Sequence, residues 1–277
     1  MHLSLMPVTL AGATPAQVVA VAARAGYDSV GITLWGRDGA ADALLDAGAM
    51  RELQAQLRDS GIPLLAVEAI CLEADFDIAK IKPLLDATAA LGSLYLNVYG
   101  DDPDALRMAE NLARLARGAR QRGVSIALEF ISRMTLRTLG DAVRMMDLAA
   151  TPGIELVFDP LHLHRSGGTP EELRAVDPAD VAYGQICDAP FDRPAPEQYL
   201  FEGRTNRLYP GSGGLPLDAF MDALPPGKPL GVEVPNLETA GLTLDERARL
   251  ALSRTKLYLQ QREAAARAIQ APGLAQK

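Results

Sequence analysis

Residues 124–159, VSIALEFISRMTLRTLGDAVRMMDLAATPGIELVFD, decide the fold. The stretch opens with VSIALEF (124–130), a short Val/Ile/Leu-rich run that reads as a buried strand. A helical segment follows from Thr138 to Ala150 and closes at Thr151-Pro152-Gly153. IELVFD (154–159) is then a second buried strand. One strand, one helix and a second strand in about 36 residues is the rhythm of a parallel βα unit. Both strands end on a carboxylate, Glu129 and Asp159.

The same rhythm extends in both directions. Upstream lie the runs at 2–8, 27–34, 62–70 and 93–99, with helices expected over 15–25, about 41–59, 78–91 and from Asp102-Pro103 to just before Gly123. Thr14-Pro15 is a helix start, with Thr14 as N-cap. Downstream, VAYGQICD (181–188) and KPLGVEV (228–234) are strands seven and eight. Short helices are expected at 170–176 and 216–224, a long loop at 189–214, and a final amphipathic helix from Leu242 to about Ala268. Eight such units over about 250 residues predict an α/β fold, the (β/α)8 TIM barrel. The open doubly wound sheet is the rival, but VTLAGATP is not the glycine fingerprint that would follow its first strand. One barrel domain over 1–268 and a flexible tail over 269–277 are expected.

Composition sets the class. The chain has 277 residues, 48% of them hydrophobic and 22% charged, which is globular composition. A net charge of −8 without a basic cluster argues against nucleic acid as a partner. Cys71 and Cys187 are far apart, so a reduced cytoplasmic setting with both thiols buried is expected. The N-terminus lacks the basic region of a signal peptide, and no run is apolar enough to span a membrane.

The chemistry lies at the strand ends. Glu129, Asp159, Gln185 and Glu233 each lie near the end of a strand, at spacings of 30, 26 and 48 residues. Each spacing equals one βα unit, the last enlarged by the long loop. In a barrel all four therefore converge at the C-terminal face, where catalytic groups sit. Singly, each has a bland alternative: an arginine partner, a helix cap, or a bond to backbone. Jointly, three carboxylates and an amide oxygen make an oxygen-rich site for a divalent cation, Mn²⁺ or Mg²⁺ before Co²⁺ or Zn²⁺. His162, three residues past Asp159, is expected to bind substrate or act as acid or base; His164 either shares that role or is solvated. Arg204 and Arg207, in the loop after strand seven, are placed to fork onto a carboxylate or phosphate. The glycines of GSGG (211–214), and those after Arg165, are a weak phosphate signal. Glu68 and Trp35 are further candidates for the pocket lining.

ALEF with Glu129, FDPLH with Asp159 and His162, QICDA with Gln185 and VEV with Glu233 together resemble the xylose isomerase-like TIM-barrel superfamily, over about residues 2–260. The resemblance implies a metal held by Glu, Asp, His and Glu from strands five to eight, with Glu129 and Glu233 as paired acid/base carboxylates. Gln185 departs from that pattern and is similar to the variation in bacterial 3-dehydroshikimate dehydratases of the superfamily. The expected activity is isomerisation or epimerisation of a small sugar, keto-polyol or related hydroxy-ketone. The alternatives are a metal-dependent lyase of the dehydratase kind and a non-catalytic ligand-binding barrel. The expected partner is a small polar molecule, and a homodimer or homotetramer is left open.

Overall fold

A computed structural model of the chain describes residues 1–34 and 46–270. Eight parallel strands close into a barrel in sequence order. They are β1 (Leu3–Leu5), β2 (Ser29–Thr33), β3 (Leu64–Leu72), β4 (Tyr95–Gly100), β5 (Ser125–Glu129), β6 (Ile154–Phe158), β7 (Val181–Ile186) and β8 (Leu230–Val232). Closure is made by β8 against β1, with Leu3 opposite Leu230 and Leu5 opposite Val232.

The helices between them are α1 (Pro15–Ala25), α2 (Ala47–Ser60), α3 (Ile78–Ala90), α4 (Ala105–Arg120), α5 (Leu139–Ala149), α6 (Pro160–Ser166), α7 (Pro170–Arg174), α8 (Tyr199–Thr205), α9 (Leu217–Ala223) and α10 (Leu244–Gln270). Thr14 caps α1 in a full capping box with Gln17, as the Thr-Pro start predicts. Among the described residues no helix is long and apolar enough to cross a membrane.

Alternation along the strands divides the apolar residues into two layers. One layer packs the outer strand faces against the helices. The other fills the barrel interior with Met6, Leu65, Ala66, Ala127, Val157, Ala182 and Tyr183. Met6 reaches across this interior because its neighbours lack side chains. A Cβ on Gly231 would lie 2.8 Å from Met6 Cγ, and one on Gly31 would lie 3.1 Å from Met6 Cε. Buried apolar residues therefore plug much of the barrel below its mouth, and the buried acidic groups gather towards the C-terminal rim.

Several local expectations are corrected. The first apolar run, 2–8, gives a three-residue strand and then a 3-10 turn over Pro7–Leu10. Asp104, not Asp102, caps α4. Asp102 is drawn away by Arg107, which donates to both of its oxygens at 2.6 and 2.7 Å. The long loop at 189–214 contains α8. Cys187 is buried, but Cys71 is only half-buried. Trp35, the first residues of the expected second helix and the residues of the C-terminal tail after 270 lie outside the described residues.

Candidate active site at the C-terminal rim

Each expected strand-end group reaches the rim. Glu129 is the last residue of β5, Asp159 follows β6, Gln185 is the penultimate residue of β7 and Glu233 follows β8. Glu68 joins them from β3. All five are buried. Asp159 has two tasks. Its Oδ1 accepts from the backbone N–H of Leu161 at 2.6 Å and His162 at 3.1 Å, which caps α6. Its Oδ2 faces the site. Within FDPLHLH the helix α6 begins at Pro160, because Asp159 and Pro160 supply the cap and first position of a helix start.

Arg207 is the largest departure from expectation. It reaches the site, but between two of the expected metal ligands. Its Nη1 donates to Asp159 Oδ2 at 2.6 Å and lies 3.0 Å from Glu233 Oε2. Its Nε donates to the carbonyl of Gly203 at 2.8 Å, which fixes the guanidinium to α8. A second buried arginine holds α8 itself: Arg165 donates to both oxygens of Glu202 at 2.6 and 2.8 Å and to Pro190 O at 2.8 Å. The Arg165 motif is thus a structural clamp, not an anion loop.

His162 is buried beside the same centre, with Nε2 at 3.8 Å from Glu129 Oε1 and Nδ1 at 3.3 Å from Ser132 Oγ. His164 does not join it. Two positions further along α6, it packs edge-on against Phe191 at 5.1 Å and meets Arg165 Nη1 at 2.9 Å. Nor does the GSGG segment offer a phosphate cradle. Its amides already hold the carboxylate of Asp188, which accepts from Gly211, Gly213, Ala189 and Leu215 at 2.8–3.1 Å. A Cβ on Gly213 would lie 2.5 Å from Asp188 Oδ1, so the close approach needs glycine.

Asn97 is a site residue that the strand-end pattern missed. From inside β4 it donates to Glu129 Oε2 at 2.9 Å and contacts the Tyr183 hydroxyl at 3.2 Å. A signal was available, since an asparagine inside the apolar run LYLNVY needs a buried partner.

Electrostatics separates the carboxyls. Burial, then the charge of Asp159, pushes Glu129 up to about 7. Burial and the Glu129 charge push Glu68 up to about 8. Glu233 is raised well above the carboxylate range by burial, with Arg207 opposing. Burial alone would raise Asp159 too, but the Arg207 charge overrides it and holds Asp159 at about 2. Burial lowers His162 to about 4, so its imidazole is neutral near pH 7.

This donor set fits a divalent cation. Four buried carboxyls face one buried guanidinium, so they can all ionise together only when a further cation joins them. Both amide atoms of Gln185, which is 1% exposed, lack partners among the described residues. Glu129, Asp159 and His162 offer ligand atoms within 4.8 Å of one another. A neutral imidazole can serve as such a ligand.

The fold and this rim define a TIM barrel with a carboxylate-rich mouth. The sequence model of the xylose isomerase-like TIM barrel matches residues 19–258, and the chain belongs to that family. The inosose isomerase of Bacillus velezensis is 32% identical over 118 residues, covering 42% of this chain and 40% of the relative. The chain thus spans about two fifths of the length of that curated relative. Among solved structures, the IolI protein with a bound zinc atom superposes with a TM-score of 0.80 at 23% identity, over 94% of this chain and 99% of its own. The probable 3-DHS dehydratase AsbF from Bacillus anthracis gives a TM-score of 0.71 at 13% identity, over 91% and 98%. At these identities the two structures share the barrel.

Proposed function

We propose that the chain is a divalent-metal-dependent isomerase or epimerase of a small hydroxy-ketone: a sugar, an inosose-like keto-polyol or a close relative. The observation that carries it is the pair Glu129 and Glu233. Both are buried, both have raised proton affinity, and they flank the Asp159–Arg207 centre from β5 and β8. Glu129, pushed up to about 7, is suited to take a proton from carbon, and Glu233, raised well above the carboxylate range, to return one. The similarity to inosose isomerase supports the same class.

Glu129, Asp159, Gln185 and Glu233 would hold the cation, with His162 beside it as a further ligand or substrate contact. When bound, the cation polarises a carbonyl and lowers the cost of removing the neighbouring carbon-bound proton. Oxygen donors favour Mn²⁺ or Mg²⁺, with Co²⁺ or Zn²⁺ as substitutes. For epimerisation Glu129 accepts the proton from the carbon beside the carbonyl, and Glu233 delivers one to the same carbon on the opposite face. For isomerisation Glu233 delivers it to the former carbonyl carbon, while the hydroxyl proton of the first carbon passes to the former carbonyl oxygen. Asn97 orients the Glu129 carboxylate through its 2.9 Å hydrogen bond. His162, neutral at pH 7, donates or accepts a hydrogen bond at a substrate oxygen without adding charge. Glu68 offers an unpartnered Oε1 to a substrate hydroxyl.

A dehydratase reading shares the first proton transfer and then expels a β-hydroxyl. The buried, unpartnered amide of Gln185 favours it. One experiment separates the two. Metal-loaded protein is incubated in D₂O with inososes, ketoses and 3-dehydroshikimate, and each is followed by NMR. Deuterium in a returned isomer is the expected result. A new alkene or aromatic product establishes the lyase instead, and full turnover by a metal-loaded Glu129→Gln variant overturns the role given to Glu129.

A further inference from the structure

Two segments meet over His162, and each carries an arginine. Ser132, in the β5–α5 loop, touches the imidazole at Nδ1, 3.3 Å away. On another edge, a Cβ on Gly203 of α8 would stand 4.0 Å from Cε1. Arg133 and Arg204 are the next residues in each segment.

The two guanidiniums share one neighbourhood. Both act on the hydroxyl of Tyr99 near the end of β4, and the charge of Arg204 adds to the burial that destabilises the Arg133 cation. The Arg133 charge also reaches Glu129 and His162. The ion pairs around the site are Arg165–Glu202, Arg207–Asp159 and Arg207–Glu233. Arg133 and Arg204 take part in none among the described residues. Arg133 instead directs Nη1 at the Met134 thioether, 3.4 Å away, which leaves its charge unneutralised. Arg133 is half-buried and Arg204 exposed, so the pair is open to solvent and its like charges are relieved when an anion arrives between them. Guanidinium forks match carboxylate and phosphate oxygens.

We infer that Arg133 and Arg204 form an oxyanion-recognition pair at the rim, so that the substrate carries a carboxylate or phosphate group. The pair adds specificity to the active site proposed above and rests on that reading for its place beside His162. Arg207, expected beside Arg204 in this role, is committed to Asp159 and Glu233, and Arg133 takes its place.

The test is equilibrium binding by calorimetry to wild type, Arg133→Gln and Arg204→Gln. The probes are D-fructose, D-fructose 6-phosphate and 5-keto-D-gluconate. At least one anionic probe should bind about tenfold or more tightly than the neutral ketose, as charge-assisted hydrogen bonds imply. Each substitution should remove about tenfold of that affinity and leave the neutral probe unchanged. Whether the phosphate or the carboxylate binds more tightly names the group. Added salt should weaken the anionic probe alone in wild type, a readout that needs no variant. Three probes that bind alike or not at all, or an anion affinity untouched by both substitutions, overturn the pair. Proton exchange is scored separately. Anion binding without exchange on any substrate sinks the isomerase and keeps the pair. Exchange on a neutral keto-polyol, together with an anion affinity untouched by both substitutions, sinks the pair and keeps the isomerase.

Discussion

Arg207 Nη1 donates to Asp159 Oδ2 at 2.6 Å, and both side chains are nearly sealed from water. The same nitrogen lies 3.0 Å from Glu233. This guanidinium therefore offsets two carboxylates that would otherwise repel each other across the rim. Replacing it by Met leaves both acids buried and unpaired. Breaking a buried pair from one side costs about 3–5 kcal/mol. Metal-free Arg207→Met should lose about that much in urea unfolding, and saturating Mn²⁺ should restore more stability to the variant than to wild type. Equal stability of variant and wild type in EDTA would show that the pair carries no net charge compensation.

The pH dependence of metal-free stability has two limbs. Asp159 is depressed from 3.8 to about 2, so its contribution is complete above about pH 4 and disappears as pH falls towards 2. Glu129 and Glu68 are raised from 4.5 to about 7 and about 8. The unfolded chain ionises these groups from about pH 4.5 upward while the folded chain keeps their protons. His162, lowered from 6.5 to about 4, opposes them with one group's gain between about pH 4 and 6.5, and the two carboxyls prevail, so stability declines towards about pH 8. Unfolding in EDTA should show a maximum near about pH 4–5. Divalent metal should flatten the upper limb, because the carboxylates it binds lose their penalty for ionising. A stability curve in EDTA that rises from pH 5 to 8 would contradict the raised carboxyls.

Asp188 makes a structural prediction free of the site chemistry. Its two oxygens accept four backbone N–H groups and set the path of residues 209–215. Asp188→Asn would turn one acceptor oxygen into a donor that faces those N–H groups. Leaving buried donors unsatisfied costs about 1–3 kcal/mol. The expected result is a loss of that size in urea unfolding, together with faster amide exchange at Gly211 and Gly213.

The barrel and its four strand-end groups were legible because burial punishes a polar residue in an apolar run, and strand alternation fixes the face it takes. Glu129, Asp159, Gln185 and Glu233 obey that rule. So does Asn97, whose partner lies on the next strand. Arg207 was placed in the right loop, but its partners were beyond reach. They depend on the path of residues 189–206, where Arg165 and Glu202 fix an uncapped helix that local sequence does not announce. Asp102 shows the same limit: a local cap signal lost to an arginine five residues away, while Asp104 took the cap.

Gln185 is the remaining lever on the chemistry. Its amide is buried with both polar atoms unpartnered among the described residues, so the oxygen is available to a ligand at no cost in hydrogen bonds broken there. An amide oxygen is a hard, neutral donor suited to Mg²⁺ or Mn²⁺, whereas imidazole suits Zn²⁺. Gln185→His keeps a neutral donor on the same strand and softens the site. Competition against a chromophoric chelator should show the variant gaining about tenfold or more in Zn²⁺ over Mn²⁺ preference, on the order of what single ligand-environment changes produce. An unchanged preference would mean that Gln185 does not ligate. Its amide would then be left to read a substrate hydroxyl, and the cation would rest on Glu129, Asp159 and His162.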